Sequence, residues 1–412
     1  MELRGPRWTL RKPPKRRTRW DRIFLLLSLI LVAAYIQYFL LPDIALPLAP
    51  TPTPTPNPAA LVEEAQALFD EGKLQAAIED YQRAILLQPD NPAWHFELAR
   101  LLALSGQYEA ALTAVENALL LNPNYADAHA LRGWLLHQQG QTLEGLASLK
   151  RALELDPNNA LAWALQAEVF ADQGLYEQAA AASRKAVALA PGMLEARRAR
   201  GYVLYATGNY EEALSEYKAA LAINNHIPDL HLMLGVIYRV LGDYGQAVQA
   251  FLDANALDPA NPYPDLYISR TYAGQGEFGR ALQYALKAAQ EAPADPFMHG
   301  NLGVMYYKNG KLQEAVRELA LVVEGGQTDD GVQVEPLPLQ YGRVAEYYFV
   351  YGLALAKLGR CDQAVPVFQR ILEGVPGDEI AVYNAQEGLR LCGAAGRPTA
   401  TPPITPTVSP TP

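Results

Sequence analysis

WALQAEVFADQGLYEQAAAASRKAVALAP, running from Trp163 to Pro191, holds the pattern that decides the fold of this 412-residue chain. It sets Ala167, Phe170, Gly174, Ala179, Ala186 and Pro191 at fixed distances from one another, and the same distances return along most of the sequence. Glycine recurs at Gly72, Gly106, Gly140, Gly174, Gly208, Gly242, Gly276 and Gly310, always at a lag of 34 residues. The chain has 30 glycines in all. At that ordinary frequency, seven consecutive lags falling on glycine by chance is on the order of one in 10^8. The chain is therefore an array of copied units, which spends its core residues on neighbouring copies and leaves function to its surface.

Measured from the glycine, the residue five places later is small: Ala77, Ala111, Gly145, Ala179, Ala213, Ala247, Ala281 and Ala315. Seven places before it stand Ala65, Ala99, Gly133, Ala167, Gly201, Gly235, Ser269 and Gly303, and twelve places after it an alanine recurs from Ala84 to Ala288. Four places before it the side chain is large and apolar, as Leu68, Leu102, Leu136, Phe170, Leu204, Tyr238, Tyr272 and Tyr306. Small and large columns three apart share one helical face and imply helices in close approach. Each unit reads as a helix, a break at the glycine, a second helix, and a stop at Pro89, Pro123, Pro157, Pro191, Pro259 or Pro293. Glycine suits the left-handed residue that ends a helix, and proline blocks continuation of the next. Asn225 and Gln327 take the place of that proline in two units.

A 34-residue helix-turn-helix with these columns resembles the tetratricopeptide-repeat family, of membrane-anchored bacterial type, over about 59 to 392. The resemblance implies an all-α fold, a right-handed superhelix of antiparallel helix pairs whose first helices line a concave groove. Eight units span 59–327. A ninth, at 344–377, repeats the columns through Gly352, Gly359, Ala364, Phe368 and Pro376 at a lag of 49, once 15 extra residues are allowed for. The insert, 328–343, begins Thr328-Asp329-Asp330-Gly331 and reads as an irregular excursion, either a tolerated loop or a partner-contact loop. A capping amphipathic helix, 378–392, would cover the last apolar face.

Ahead of the array, residues 1–22 form a basic arm with nine Lys or Arg against Glu2 and Asp21, followed by an uncharged run from Ile23 to Leu41. Nineteen helical residues at about 1.5 Å each reach roughly 29 Å, close to the ~30 Å of a bilayer core. A transmembrane helix at 23–41 would leave the arm in the cytoplasm and the array outside. A cleaved signal peptide is the competing reading, although its best site, Leu46-Pro47-Leu48-Ala49, precedes Pro50. A Pro/Thr-rich linker at 42–58 and a disordered Pro/Thr tail at 393–412 read as extended, uncored stalks open to O-linked sugars. The arm contributes +7, leaving −17 for the remainder of a chain whose net charge is −10. An acidic body argues against nucleic acid, and the arm is placed to meet anionic lipid headgroups.

Four of the six histidines share the column eleven before the glycine: His95, His129, His231 and His299. Equivalent residues of stacked helix pairs lie about 10 Å apart, too far to share one metal ion at ~2.0–2.1 Å, and Trp163 stands in the same column, so these are packing residues. No G-x-S-x-G, phosphate loop, H-E-x-x-H or dinucleotide fingerprint occurs. Carboxylates scatter over solvent-facing helix positions, with no isolated buried pair. No cofactor, metal or catalytic residue is expected. Cys361 and Cys392 flank the last turn of the array. They read either as a disulfide that pins the capping helix, contributing roughly 3 to 4 kcal/mol by chain entropy, or as two buried thiols.

Constant columns build the array, so columns that vary while facing outward are free to meet a partner. Three of them, ten, six and three before the glycine, share one face of the first helix, which lines the groove in the family. Here that face carries Phe96, Arg100, Trp134, His137, Arg198, Tyr202, Tyr205, Leu232, Val236, Arg239, Leu266, Arg270, Val304 and Tyr307. Aromatics with arginine and few carboxylates are what interface hot spots favour, and the face suits an apolar or acidic segment. Family members that grip chaperone tails carry Lys ten before and Asn six before the glycine, and no unit here has either. The expectation is a single-pass, membrane-anchored, extracytoplasmic scaffold that binds a protein or peptide partner through this groove. The alternative is a structural spacer or self-assembling envelope element with no distinct guest.

Overall fold

Every copy of the pattern folds as two helices joined by a short turn at its glycine. The computed structural model describes residues 20–36 and 57–393. It divides into two units, Met1–Pro56 and Asn57–Pro412. In the first, α1 (Trp20–Tyr35) is one helix with Phe24, Leu25, Leu26, Leu27, Ile30 and Leu31 all exposed. Among the described residues no helix is long and apolar enough to cross a membrane. Residues 37–41 of the apolar run, most of the basic arm, most of the linker and nearly all of the tail lie outside the described residues.

In the body, the first four units are α2 (Pro58–Asp70) with α3 (Leu74–Leu87), α4 (Pro92–Leu104) with α5 (Tyr108–Leu121), α6 (Ala126–Gln138) with α7 (Thr142–Leu155), and α8 (Ala160–Asp172) with α9 (Tyr176–Leu189). The next four are α10 (Leu194–Ala206) with α11 (Tyr210–Ile223), α12 (Pro228–Val240) with α13 (Tyr244–Leu257), α14 (Tyr263–Gly274) with α15 (Phe278–Glu291), and α16 (Pro296–Lys308) with α17 (Leu312–Val323). Asparagine or aspartate begins several first helices: Asn57, Asn91 and Asp295 accept the N–H of Ala59, Ala93 and Phe297 through their side chains. A proline at the first helical position follows each of them, where its missing N–H costs nothing. The comb glycines all end their helix in the left-handed region, with φ between +71° and +82°. At Gly106 the closure is complete. Its N–H donates to Ala103 O, and that of Gln107 donates to Leu102 O at 2.9 Å, so the large apolar column also terminates the helix.

The small and large columns fit by exchange of volume between the two helices of a unit. Opposite Gly235 stands Phe251, fully buried, and a Cβ on Gly235 would overlap its ring. Burying such a ring contributes about 2–3 kcal/mol. The histidine column has a role beyond packing. The Nε2 of His95, His129, His231 and His299 lies 2.8–2.9 Å from the carbonyl six residues earlier, at Pro89, Pro123, Asn225 and Pro293. Trp163 Nε1 and Arg197 Nε reach Pro157 O and Pro191 O in the same way. A carbonyl only accepts, so each imidazole carries its proton on Nε2. The column thereby satisfies a carbonyl at the end of one unit with a donor from the next unit's first helix.

Beyond α17 the insert is more regular than an irregular excursion. β1 (Gly326–Gln327) pairs antiparallel with β2 (Gln333–Val334) around Thr328 to Val332. The strand after it returns to the core, with Leu337 N–H donating to Val322 O at 2.8 Å and Tyr348 Oη donating to Leu337 O at 2.7 Å. The ninth unit, α18 (Arg343–Lys357) with α19 (Cys361–Gly374), and a final helix α20 (Glu379–Leu391) follow. Cys361 and Cys392 are joined by a disulfide that ties the start of α19 to the end of α20.

Candidate interaction groove

The first helices line the inner face of the array, and the array turns tightly enough for its beginning to meet its middle. Asn224 Nδ2 donates to Phe69 O at 3.2 Å across 155 residues of sequence. Phe69 and Leu104 pack with Leu194, Leu230 and Leu234. Gly72 approaches His226 so closely that a Cβ there would lie inside the imidazole. Asn224-Asn225-His226 is one of the two places where the helix-stopping proline is missing, and the side chains on either side of Asn225 make the closure.

Inside this closed turn the groove side chains bind one another. Arg198 forks onto Glu168, with Nε to Oε1 and Nη2 to Oε2 both at 3.1 Å, and the Trp134 indole donates to the same carboxylate at 2.7 Å. The Arg198 guanidinium also sits 5.3 Å from the Trp134 ring centre. Burial raises the Glu168 pKa, and Arg198 only partly offsets it. Arg100 Nε donates to Glu195 at 2.6 Å and its Nη1 to Glu97 at 3.3 Å. Burial opposes ionisation of Glu195, but Arg100 outweighs it and the net shift is downward. Asp172 accepts from Tyr202 Oη and, at 2.8 Å, from His137 Nε2, while His137 Nδ1 meets Thr142 Oγ1 at 3.0 Å. Burial, then the bond to Asp172, holds the Tyr202 phenol neutral well above its ordinary range. Phe96 and Trp134 are buried, and Phe96 packs on Tyr125 at 5.2 Å. Cavities remain between these side chains. One of about 740 Å³ is lined by Tyr108, Trp134, Tyr202 and Asp229, and one of about 470 Å³ by Phe69, Phe96 and Met193.

Two expectations are corrected here. The groove face is not poor in carboxylates, because Glu168 and Glu195 fold into it and neutralise Arg198 and Arg100, and Asp172 joins them against Tyr202 and His137. Nor do all the acids lie on solvated faces. Asp265 is fully buried, with Lys287 Nζ 2.7 Å away, and Glu291 lies 3.4 Å from the same lysine. Burial and Asp265 raise the Glu291 pKa. The signal for Glu168 was available, since it occupies the same column as Arg100, Trp134 and Tyr202.

Past the closed turn the face changes. Val236, Leu266 and Val304 are buried, while Tyr205, Leu232, Arg239, Arg270 and Tyr307 remain half-buried. Tyr205 packs on Tyr210 at 5.7 Å, and Lys357 sits 4.4 Å from the Tyr307 ring centre. Arg239 and Arg270 both flank the Tyr267 ring, at 5.9 and 5.8 Å from its centre. Tyr267 and Tyr347 lie outside the three varying columns, so spacing alone did not mark them. Among the described residues no group of three or more His, Cys, Asp or Glu side chains is arranged to hold a metal ion.

Models of the tetratricopeptide repeat match residues 68–135, 131–194, 164–226, 198–262 and 268–330. The chain belongs to the tetratricopeptide-repeat family. Arrays of this family act as scaffolds for protein–protein interaction, and that coarse class holds here. No curated protein matches the chain. Similar solved tetratricopeptide structures include PilW, described as a widely conserved type IV pilus biogenesis factor, at 21% identity, covering 48% of this chain and 91% of that one, with a TM-score of 0.44. TTC0263, a thermophilic TPR protein of Thermus thermophilus, is 24% identical, covering 44% and 99%, with a TM-score of 0.41. The human IFIT1 dimer with PPP-AAAA is 17% identical, covering 64% and 71%, with a TM-score of 0.48. These likenesses concern the repeat fold alone.

Proposed function

We propose that this tetratricopeptide-repeat protein is a membrane-anchored scaffold whose array stands outside the cytoplasm and holds a segment of a partner protein on its inner face. The observation that carries the binding reading is the half-buried series Leu232, Arg239, Arg270 and Tyr307 beyond the closed turn. Aromatic and arginine side chains held in place but incompletely covered are the groups that interfaces use as anchors. The basic arm followed by the uncharged run Ile23–Leu41 supports the anchor, as does the exposure of apolar side chains on α1. A disulfide persists in an oxidising compartment, which supports the placement outside.

A photo-cross-linker in place of Leu232 in the full chain, in its own cells, tests the binding reading. Capture of one distinct protein, lost when Arg239 is changed to Glu, supports it. Cross-links only between copies of this chain overturn it in favour of a self-assembling element. Orientation is tested separately with a membrane-impermeant amine reagent on intact cells, where Lys150 and Lys218 of the body are expected to react; an unlabelled body would sink the outside placement.

A further inference from the structure

Arginines on the inner face fall into two groups by what neutralises them. Arg100 and Arg198 are bound to Glu195 and Glu168. Arg239 makes no ion pair and no hydrogen bond among the described residues; it only lies beside the Tyr267 ring. Arg270, beside the same ring, makes no ion pair among the described residues either, and its one hydrogen bond is from Nη2 to the neutral Tyr347 hydroxyl at 3.2 Å. Both Nε atoms are buried without an acceptor. Arg343 stands near enough to add its charge, and only it has a carboxylate, Glu346. Three guanidiniums thus face one carboxylate on an otherwise acidic body. Burial, then repulsion from Arg270 and Arg343, lowers the Arg239 pKa, so these positive charges oppose one another in the empty groove.

We infer that Arg239 and Arg270, both held beside the Tyr267 ring, form an anion site that takes the side-chain carboxylates of an acidic segment of the partner, a reading that rests on the scaffold function proposed above. The argument is charge complementarity: the site lacks two negative charges that the closed turn supplies to its own arginines. A planar guanidinium offers two parallel N–H donors, which match the two oxygens of a carboxylate. Here a carboxylate gives each unpaired fork an acceptor and separates the two cations by an intervening anion. Two guanidiniums that each lack a carboxylate call for two carboxylates along one peptide to complete the site.

The test uses the full chain in detergent and a fluorescein-labelled peptide of alternating Glu and Leu, with its Gln-for-Glu and Lys-for-Glu counterparts, read by anisotropy. The Glu peptide is expected to bind at least about tenfold more tightly than the Gln peptide, with the gap shrinking as salt is raised. R239Q/R270Q is expected to abolish the preference, whereas R317Q, which removes the same charge from the exposed Arg317, is expected to keep it. Salt dependence on the unmodified protein keeps the inference testable if the double variant folds poorly. Equal binding of the Glu and Gln peptides, or a preference that survives R239Q/R270Q, overturns the anion site. Displacement of the Glu peptide by inorganic phosphate as effectively as by free Glu peptide overturns the assignment to carboxylates. Each of these outcomes leaves the cross-linking at Leu232 to decide the scaffold reading by itself.

Discussion

The inner face between α4 and α10 and the inner face between α12 and α18 are made from the same columns of the same repeat, yet the first is occupied by its own side chains and the second is not. In the closed turn, Arg198 is forked onto Glu168 and Arg100 is bound to Glu195, while Asp172 accepts hydrogen bonds from Tyr202 and His137. Further along, Arg239 and Arg270 have no carboxylate at all. Chemistry of the column residues explains the difference only in part: both halves carry aromatics and arginines, the first alone has a column carboxylate, Glu168, and Glu195 and Asp172 join it from positions outside the columns. What differs is whether acids from the neighbouring first helices fold in among them. A varying column marks a surface that is free to differ, and only the packing around it decides whether that freedom serves binding or internal closure.

The two ends of the array are also held differently. The beginning is pinned by the closure of the turn, through Asn224 and Phe69, and the end by the covalent bond between Cys361 and Cys392.

The largest effect that would break this contrast is loss of the acid in the first half. Glu168→Ala leaves Arg198 buried without its partner and is expected to cost about 3–5 kcal/mol. Arg239→Gln, which removes a cation that has no partner, should change stability by less than about 1 kcal/mol. Denaturant unfolding of the two variants measures both, and similar losses would erase the distinction between the halves. Cys361→Ser comes next. It is expected to lose about 3–4 kcal/mol by the chain-entropy estimate, with hydrogen exchange accelerating in α19 and α20 and unchanged in α2 to α5. Exchange that rises evenly along the array would mean the bond pins nothing locally.

A smaller effect separates two glycines of the comb. Gly106→Ala meets open space and bears only the left-handed backbone penalty of roughly 1–2 kcal/mol, whereas Gly72→Ala bears that and a collision with His226. Thermal melting should therefore place Gly72→Ala below Gly106→Ala, and equal melting points would say that the turn does not close in solution. The smallest expected effect is in the second half and depends on pH. His299 Nδ1 lies 2.8 Å from Glu318, while its Nε2 reaches the Pro293 carbonyl. Burial lowers its pKa, but the bonds to Glu318 and to the Pro293 carbonyl, with the negative charge of Glu318, together outweigh this and the net shift is upward. A raised folded pKa means the stabilisation is fully present below the unfolded histidine value of about 6.5 and is lost as pH rises through the folded value. The melting-point difference between the wild type and His299→Gln should accordingly shrink as pH rises above about 6.5; a difference that grows would reverse the sign assigned here.

Much of this was legible before any coordinates. The glycines that recur at a lag of 34 sit at positive φ because a helix must end there, and the small column is legible at Gly235, whereas Phe251, the ring that fills the space opposite it, stands outside the columns read from the sequence. The histidine column was recognisable as structural, although its hydrogen bond to a carbonyl six residues earlier was not, because spacing shows which residues are near and not which atoms meet. The insert hid its short hairpin, as two-residue strands leave no period to read. Glu168 was missed as a groove residue despite standing in a groove column, because a carboxylate on a helix is ordinarily solvated and nothing local says that an arginine will reach it from the next unit.

The sequence by itself determined the unit, the number of copies and the faces of each helix, since these depend on contacts within one unit and between adjacent units, repeated at fixed spacing. The tertiary structure decided which part of the inner face closes on itself and which stays unmatched. Closure depends on the small rotation accumulated over several units, which no single unit encodes. The missing proline at Asn225 was visible in the sequence, but only the curvature of the whole array brought its neighbour Asn224 against Phe69.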